Sequence, residues 1–327
     1  MTKENILITG GAGFIGSYIA GHHLTKGDHV WVIDYLQGGK LKNIERFRSN
    51  PLFQFDQADV RTWEKLHDAV KWADKIYHMA ANVGQRLVLQ NPIQTLSNNI
   101  HAAEVVMQAM VATKSKAHLL IASTSEVYFY SKENPNGTVS ENAIISFHSG
   151  KYLQESYPLS KLVNETMALS YTSTEGINCV IARIFNTIGC NQSSVYGMVV
   201  PTFIEQALEE KPLTVFGDGL QTRSFSNVRD TVRALNLLLD NPKANGQIFN
   251  VGNDYECSIL DLARLVIKIT HSKSNIRFID YKEAYGKDFR DVRKRCPDLN
   301  KLENLTGFKP QCSLEDTIKE IVNAAKL

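Results

Sequence analysis

Two residues four positions apart, Tyr157 and Lys161, could together take a proton from a hydroxyl group. They lie in the stretch YPLSK, which is predicted to be helical, and positions i and i+4 share one face of a helix. An ammonium beside a phenol stabilises the phenolate and lowers a pKa that is ordinarily ~10. The pair would then be a general base for a hydroxyl whose carbon gives up hydride. Because the same spacing is common by chance, the neighbouring motifs must decide whether the pair is catalytic.

A second polar group closes the apolar stretch HLLIAST, which is predicted to be a buried strand. Thr124, Ser125 and Glu126 follow one another there, and burying them costs free energy unless they have partners. In a doubly wound sheet, ligands bind at the carboxyl ends of the strands. We therefore expect these three side chains to face the same site as Tyr157. A turn that satisfies only its own backbone is the alternative.

The stretch LITGGAGFIG predicts a dinucleotide site between a strand and a helix. Gly10 permits the tight turn, Gly13 lets the backbone approach a pyrophosphate, and Gly16 allows close packing of helix on strand. The helix N-terminus then faces the phosphates. Asp34 ends the next predicted strand, where a carboxylate accepts from both ribose hydroxyls and repels a 2′-phosphate. This favours NAD over NADP; a plain strand–helix turn is the alternative.

The elements that must position these residues alternate between strand and helix. A parallel, Rossmann-type doubly wound α/β sheet is predicted from strands at 5–9, 29–34, 53–59, 75–81, 118–124 and 177–186. A long helix is predicted at about 155–174. Asp59 and Val60 end the third strand and are expected near an adenine, or in a simple turn.

Beyond residue 186 the pattern loosens into loops and a few helices. Helices are predicted at about 200–209, 229–240, 258–270 and 314–325. We predict a dinucleotide-binding domain over 1–186, to which 229–256 returns. A smaller mixed α/β substrate lobe would consist of 187–228 and 257–327.

The composition excludes several classes of protein. With 327 residues and a formal net charge of +2, nothing argues for nucleic acid or a membrane surface as a partner. The five scattered cysteines include no CxxC pair, which argues against a disulfide framework and a metal site. The N-terminus has no apolar leader, and no apolar run approaches ~18 residues. We expect a soluble, cytoplasmic protein.

Several motifs resemble the extended short-chain dehydrogenase/reductase family of nucleotide-sugar epimerases, dehydratases and decarboxylases. They are TGGAGFIG, HMAANVG, STSEVY, YPLSK, RIFNTIG and GDGLQTRSF, and they follow the family's order over nearly the whole chain. The resemblance implies tightly held NAD, reduced and reoxidised within one turnover, and a UDP-sugar substrate. Tyr157 would be the base at the sugar C4 hydroxyl. Lys161 would bind the nicotinamide ribose, and Thr124 would bond to the same C4 oxygen.

The resemblance also implies further contacts. At the cofactor it adds Phe14, Ile15, Lys40, Ala80, Ala81 and Asn99. At the substrate it adds Arg86, Asn186, Val200, Phe216, Arg223 and Arg295. Asn186 and Arg223 match positions that contact the diphosphate, and Phe216 matches an aromatic that stacks on uracil. The plain alternative for Phe216 is a place in the lobe core.

The reaction after C4 oxidation depends on Glu126. A C4 ketone can be reduced from the other face, can promote elimination of the C6 hydroxyl, or can release carbon dioxide from a C6 carboxylate. In the family that this chain resembles, simple 4-epimerases usually have small or hydroxyl residues at the place of Glu126, dehydratases have Thr-Asp-Glu or Thr-Ser-Glu, and decarboxylases have Thr-Ser-Glu or Ser-Ser-Glu. Ser125, where an Asp would protonate a leaving hydroxyl, argues mildly against a 4,6-dehydratase. Arg295 matches the arginine of the decarboxylase Arg-x-Pro motif; a diphosphate contact or a surface charge is its alternative.

Decarboxylation of a UDP-glucuronate-type substrate is therefore the leading interpretation. The alternatives are a UDP-hexose or hexuronate 4-epimerase, a 4,6-dehydratase and, more remotely, a non-catalytic NAD-binding scaffold. Three features depart from the decarboxylases: AANVGQRLVLQNP, Phe129 where Gly is expected, and GCNQSSVYG without its usual Pro. The apolar stripes AAEVVMQAMV and LVNETMALSY predict a homodimer interface or, equally, a face that covers the sheet.

Overall fold

The computed structural model describes residues 3–129, 131, 137–148, 152–194, 197–285 and 291–326, apart from the side chains at 85, 86 and 285. Among these residues, no helix combines the length and the apolar character needed to cross a lipid bilayer.

The secondary structure alternates between strand and helix over the first half of the chain. The helices are α1 (Phe14–Lys26), α2 (Leu66–Trp72), α3 (Gln85–Gln90), α4 (Pro92–Thr113), α5 (Ser156–Glu175), α6 (Val199–Leu208), α7 (Val228–Leu239), α8 (Ile259–Thr270), α9 (Tyr281–Tyr285), α10 (Asn300–Thr306) and α11 (Leu314–Ala325). The strands are β1 (Asn5–Thr9), β2 (His29–Asp34), β3 (Phe53–Gln57), β4 (Lys75–His78), β5 (His118–Thr124), β6 (Asn178–Ile184), β7 (Thr187–Ile188), β8 (Leu213–Phe216), β9 (Thr222–Ser224), β10 (Ser226–Asn227), β11 (Ile248–Val251), β12 (Glu256–Ser258), β13 (Ile276–Ile279) and β14 (Lys294–Arg295).

A seven-stranded parallel sheet in the order β11-β6-β5-β4-β1-β2-β3 forms the centre of the molecule. Both of its faces are covered, so the three central residues of β1 are all apolar. Ile6 and Ile8 pack on the face covered by α1 and α7, while Leu7 packs on the face covered by α2 and α4. The predicted Rossmann-type α/β fold is confirmed.

The strands β3 and β4 end earlier than predicted. β3 stops at Gln57 and β4 at His78, so the residues that follow each strand lie in loops at the carboxyl edge of the sheet. A Cβ added to Gly10 would lie 2.7 Å from the backbone nitrogen of Ala80, which shows how closely the loop after β4 passes the glycine turn. These early ends place Asp59 at the edge where a parallel sheet binds ligands.

The apolar stripe on α4 is explained by the sheet that it covers. Ala103, Val106, Met107 and Met110 are buried in the core between α4 and the strands. The stripe therefore gives no independent argument for a subunit interface.

Three smaller sheets pack with α6, α8 and α11 beyond the large sheet. The small sheets are β8 with β13, β7 with β10, and the set β12-β9-β14. Serine side chains begin two of the helices, since Ser258 and Ser313 each accept from a backbone N–H three residues later, at 3.0 Å. β11 returns to the large sheet beside β6, while the boundaries of the two domains stay a prediction.

Candidate active site

A cavity of about 650 Å³ opens at the carboxyl ends of the large sheet and is closed by residues of the small sheets. Among the predicted cofactor residues it is lined by Gly10, Gly13, Phe14, Ile15, Gly16, Asp34, Lys40, Asp59, Val60, Ala80, Ala81 and Asn99. Among the predicted catalytic and substrate residues it is lined by Thr124, Ser125, Glu126, Tyr157, Lys161, Asn186, Val200, Phe216, Arg223 and Arg295. The side chain of Arg86 lies outside the described residues.

The glycine turn between β1 and α1 has no room for side chains. Gly10 has a φ of +72°, and a Cβ on Gly16 would lie 2.8 Å from the Cα of Gly11. Gly13 caps α1 without a side-chain hydrogen bond, so the first N–H groups of the helix stay available to an anion. This cradle fits the pyrophosphate of a dinucleotide.

Two carboxylates lie on the cofactor side of the cavity. Asp34 accepts from the backbone N–H groups of Ala12 at 3.0 Å and Leu36 at 2.7 Å. Burial raises the pKa of Asp34, and these N–H donors oppose the rise. The carboxylate of Asp59 accepts from Arg61 Nε at 2.9 Å, and this hydrogen bond lowers the pKa of Asp59. Arg61 was not predicted from the sequence, because an arginine two residues after Asp59 matches no motif there.

Asn99 lines the cavity, but its side chain is engaged with the protein. Its Oδ1 accepts from the backbone N–H of Asn82 at 2.7 Å, and its Nδ2 donates to Ser160 Oγ at 3.0 Å. Asn164 in turn donates to the backbone oxygen of Asn99 at 3.1 Å. Asn99 therefore joins the loop after β4 to α5, the helix that bears the Tyr-Lys pair.

The three residues predicted to act at the C4 hydroxyl are brought together by β5 and α5. Thr124 ends β5, accepts from the N–H of Glu126 at 3.2 Å, and is close enough to Tyr157 for its hydroxyl to lower the pKa of the phenol. Lys161 lies one turn further along α5 and donates to the backbone oxygen of Ala122 at 2.8 Å. The side chains of Tyr157 and Lys161 are both buried. This cluster has the composition expected of a proton-transfer site.

The pKa of Tyr157 is shifted in the direction opposite to the one expected from sequence. Burial raises it, the charge of Glu126 raises it further, and the hydrogen bond with Thr124 opposes the shift. Burial also lowers the pKa of Lys161 to about 8, with the charge of Glu165 opposing. Desolvation, which depends on the surrounding fold and not on the Tyr-Lys spacing, therefore sets the sign of the Tyr157 shift.

Glu126, Arg295 and Arg223 form the charged part of the cavity. Burial raises the pKa of Glu126, while Arg295 and Arg223 oppose the rise. The pairing of β14 with β9 places Arg295 directly beside Arg223. Arg223 donates to the backbone oxygen of Val292 at 2.8 Å and pairs with Asp291. By contrast, the buried Nε of Arg295 has no hydrogen-bond partner among the described residues.

An aromatic pair lies where a nucleobase was expected. Phe216 is only partly buried and packs on Tyr281, with ring centroids 6.3 Å apart and planes inclined at 34°. Gln221 Nε2 donates to the Tyr281 hydroxyl at 2.8 Å and to the Phe216 backbone oxygen at 3.0 Å. Tyr281 was missed because the β8–β13 pairing that brings it to Phe216 joins distant parts of the sequence.

Phe129, where a glycine was expected, has an ordinary backbone conformation. It follows the short turn Ser125–Tyr128 with a φ of −49°. Because this φ is negative, a phenylalanine meets no backbone strain at this position.

Known proteins resemble this chain over its whole length. The family described as GDP-mannose 4,6 dehydratase matches residues 7–321. A UDP-N-acetyl-alpha-D-glucosaminuronate decarboxylase of Bacillus cytotoxicus is 34% identical over 98% of this chain and 97% of its own. UDP-glucuronic acid decarboxylase 1 of Danio rerio is 35% identical over 98% of this chain and 72% of its own.

Solved structures of nucleotide-sugar enzymes also resemble this chain. A UDP-glucuronic acid 4-epimerase from Bacillus cereus, in complex with UDP-glucuronic acid and NAD, is 30% identical with a TM-score of 0.87. The match covers 98% of this chain and 99% of that one. The predicted resemblance to nucleotide-sugar epimerases, dehydratases and decarboxylases is confirmed, and the chain belongs to the GDP-mannose 4,6 dehydratase family.

Proposed function

We propose that this protein oxidises C4 of a UDP-hexuronate and then releases the C6 carboxylate as carbon dioxide. It does so within the NAD-dependent nucleotide-sugar chemistry of its family. One observation carries the choice of a hexuronate: the buried Nε of Arg295 has no hydrogen-bond partner among the described residues, next to Glu126 in the cavity. A cation with an unused donor suits a carboxylate better than a neutral hydroxymethyl group.

The residues of β5 and α5 perform the first step. When bound in the glycine cradle, NAD supplies the acceptor for the C4 hydride and later its donor. Tyr157 takes the proton of the C4 hydroxyl, and Thr124 holds the same oxygen by a hydrogen bond. Lys161, one turn along the helix, provides a positive charge that favours the tyrosinate when the proton moves.

The second step breaks the bond between C5 and C6 of the resulting β-keto acid. The bonding electrons pass to C5 and are delocalised onto the C4 oxygen, while C6 leaves as carbon dioxide. C5 then requires a proton. Glu126, whose pKa is raised by burial, would donate that proton. Arg295 would hold the carboxylate until it leaves.

Epimerisation at C4 is the second candidate, because the Bacillus cereus structure with 30% identity is a UDP-glucuronic acid 4-epimerase. That reaction uses the same first step but needs no acid at C5. Dehydration is somewhat less favoured, since Ser125 stands where an Asp would serve as the acid that protonates the leaving hydroxyl.

Product analysis separates the candidates. The protein with NAD is incubated with UDP-glucuronate, with UDP-N-acetylglucosaminuronate and with UDP-glucose, and the products are identified by NMR. Carbon dioxide and a UDP-pentose from a uronate are expected. A 4-epimer without loss of mass would refute decarboxylation. Glu126→Gln is expected to slow carbon dioxide release by ~10²–10⁴-fold, with Glu104→Gln on the outer side of α4 as the control.

We also propose that the protein forms a homodimer through the outer faces of α4 and α5. Ile93 on α4 is 83% exposed, and Leu96 on α4 and Val163 on α5 are exposed as well. Light scattering at micromolar concentration tests this: a dimer is expected for the wild type and a monomer for Ile93→Lys with Val163→Lys. A monomeric wild type would contradict the proposal.

A further inference from the structure

A buried ion pair lies directly behind the catalytic end of β5. Arg183 of β6 donates from Nε to Glu165 Oε1 at 2.9 Å and from Nη2 to Oε2 at 2.6 Å. Ser123 donates its hydroxyl to the same carboxylate. Ser123 precedes Thr124, and Glu165 lies one helical turn after Lys161. The pair is thus hydrogen-bonded to the residue before Thr124 and lies one turn of α5 from Lys161, the two residues proposed to act at C4.

A second arm of the network leaves Arg183 through Tyr128. Arg183 Nη1 donates to the Tyr128 hydroxyl at 2.7 Å, and its guanidinium lies 4.8 Å from the centre of the Tyr128 ring. The same hydroxyl donates to Asn250 Oδ1 at 2.8 Å. Asn250 Nδ2 then donates to the backbone oxygens of Val139 at 2.9 Å and Asp298 at 3.2 Å.

The network ends at the segment that carries Arg295. The N–H of Val139 donates to the oxygen of Cys296 at 2.9 Å, and the N–H of Asp298 donates to the oxygen of Val139 at 2.9 Å. Cys296 follows Arg295 directly. A weaker parallel route also exists, because Arg183 Nη1 contacts the Glu141 oxygen at 3.3 Å and Glu141 Oε1 accepts from the N–H of Asn250 at 2.8 Å.

We propose that Tyr128 and Arg183 are positioning residues that hold Arg295 in register with Thr124 and Lys161. A buried ion pair contributes little net stability compared with apolar residues of the same size, so its geometry is the stronger reason for it. The network joins two parts of the site that must contact the same substrate. One part, Thr124 and Lys161, acts at C4, and the other, Arg295, would bind the carboxylate. The expected effect on catalysis rests on the proposed function, whereas the hydrogen-bonded link between the two parts of the site does not.

Removing one hydroxyl tests the coupling itself. Tyr128→Phe deletes the atom that joins Arg183 to Asn250 and leaves the ring in place. Tyr77→Phe is a matched control, because Tyr77 is also buried and its hydroxyl also has two partners, Asn236 at 2.8 Å and His23 at 3.0 Å. Hydrogen exchange of the protein with NAD should accelerate at least tenfold at the amides of Val139 and Asp298 in Tyr128→Phe. Equal rates in the two variants would overturn the coupling, whatever reaction the enzyme catalyses.

Kinetics then test the catalytic consequence. With the substrate that the wild type converts, Tyr128→Phe should still oxidise C4 but lose ~10–100-fold in kcat, since small misplacements cost that much. Reduced cofactor should accumulate, as seen in its near-ultraviolet absorbance, while Tyr77→Phe keeps the wild-type kcat. Faster exchange with wild-type kcat, or a lower kcat without reduced cofactor, would overturn the positioning role. A wild type that yields no carbon dioxide would contradict the proposed function and leave the exchange result standing.

Discussion

Arg183 and Arg295 differ in how far the protein satisfies the hydrogen-bonding groups of their guanidinium. Arg183 is almost fully buried, and its guanidinium nitrogens all have acceptors, in Glu165, Tyr128 and Glu141. Those partners raise its pKa above the ordinary value of arginine. Arg295 faces the cavity, and its buried Nε has no partner among the described residues. Burial and the neighbouring Arg223 lower its pKa.

The difference separates a charge that serves the fold from a charge that is available to a ligand. A charge in a core is retained when the protein itself supplies every hydrogen bond. A charge that the protein leaves under-satisfied costs stability, and such exceptions concentrate at functional sites. Glu126 belongs with Arg295 in this respect, because burial raises its pKa although Arg295 and Arg223 oppose the rise.

The largest effect is expected from breaking the satisfied pair. Arg183→Met leaves Glu165 buried without its partner and should lower the free energy of unfolding by about 3–5 kcal/mol. Urea denaturation measures it. The double variant Arg183→Met with Glu165→Leu is the control and should recover most of the loss, because no unpaired charge remains. A loss below about 1 kcal/mol in the single variant would contradict the comparison.

The next effect should have the opposite sign, because Lys161 is a buried cation without a matching carboxylate bond. Its pKa of about 8 is below the ordinary 10.5, so the folded protein is penalised at low pH. Lys161→Met should therefore raise the free energy of unfolding by about 3 kcal/mol below pH 8. The gain should fade as the pH rises from about 8 to 10.5, where the wild-type lysine becomes neutral in both states.

Urea denaturation of both proteins across this pH range checks the sign. Lys161→Arg serves as the control, since it keeps the charge and should gain no stability. A Lys161→Met protein less stable than the wild type at neutral pH would show that the ammonium contributes to the fold. Catalytic activity should be lost in Lys161→Met in either case.

The contrast also explains which features the sequence could predict. The glycine turn and Asp34 lie close together in sequence, so their pattern predicted a dinucleotide site, whereas the Tyr157–Lys161 pair needed the neighbouring motifs to stand out from chance. The parallel sheet followed from apolar runs at regular intervals. The sign of the pKa shift of Tyr157 was wrong, because it depends on burial by elements distant in sequence.

Long-range contacts were the main features missed. The Arg183–Glu165 pair joins β6 to α5, and Tyr281 reaches Phe216 only through the pairing of β8 with β13. Neither has a local pattern, since each partner alone is an ordinary helix, strand or loop residue. The motif RIFNTIG drew attention to Asn186, while the buried role of Arg183 within it required the fold.

A smaller effect is expected at the under-satisfied arginine. Arg295→Met should change the free energy of unfolding little. The guanidinium that it removes includes a buried nitrogen that makes no hydrogen bond among the described residues. It should weaken binding of a UDP-hexuronate by about 1.5–3 kcal/mol, or roughly 10–100-fold. Calorimetry with UDP-glucuronate measures this loss. UDP-glucose, which has no carboxylate, is the control and should bind nearly as before. Equal losses for both ligands would place Arg295 at the diphosphate instead.

The smallest effect is expected at Arg293, two residues before Arg295. Arg293 donates to Asp218 at 2.7 Å, but its side chain is 69% exposed and that of Asp218 is 47% exposed. Water solvates both charges before and after the pair forms, so the ion pair adds little to the free energy of unfolding.

Arg293→Gln should leave the urea midpoint unchanged, and the backbone oxygen of Arg293 still accepts from the N–H of Thr222 at 2.8 Å. Arg183→Met, measured alongside, gives the scale. If Arg293→Gln shifted the midpoint as far as Arg183→Met does, burial would not be what separates structural arginines from the others. An unchanged midpoint would leave burial and hydrogen-bond satisfaction as the properties that decide what each guanidinium does.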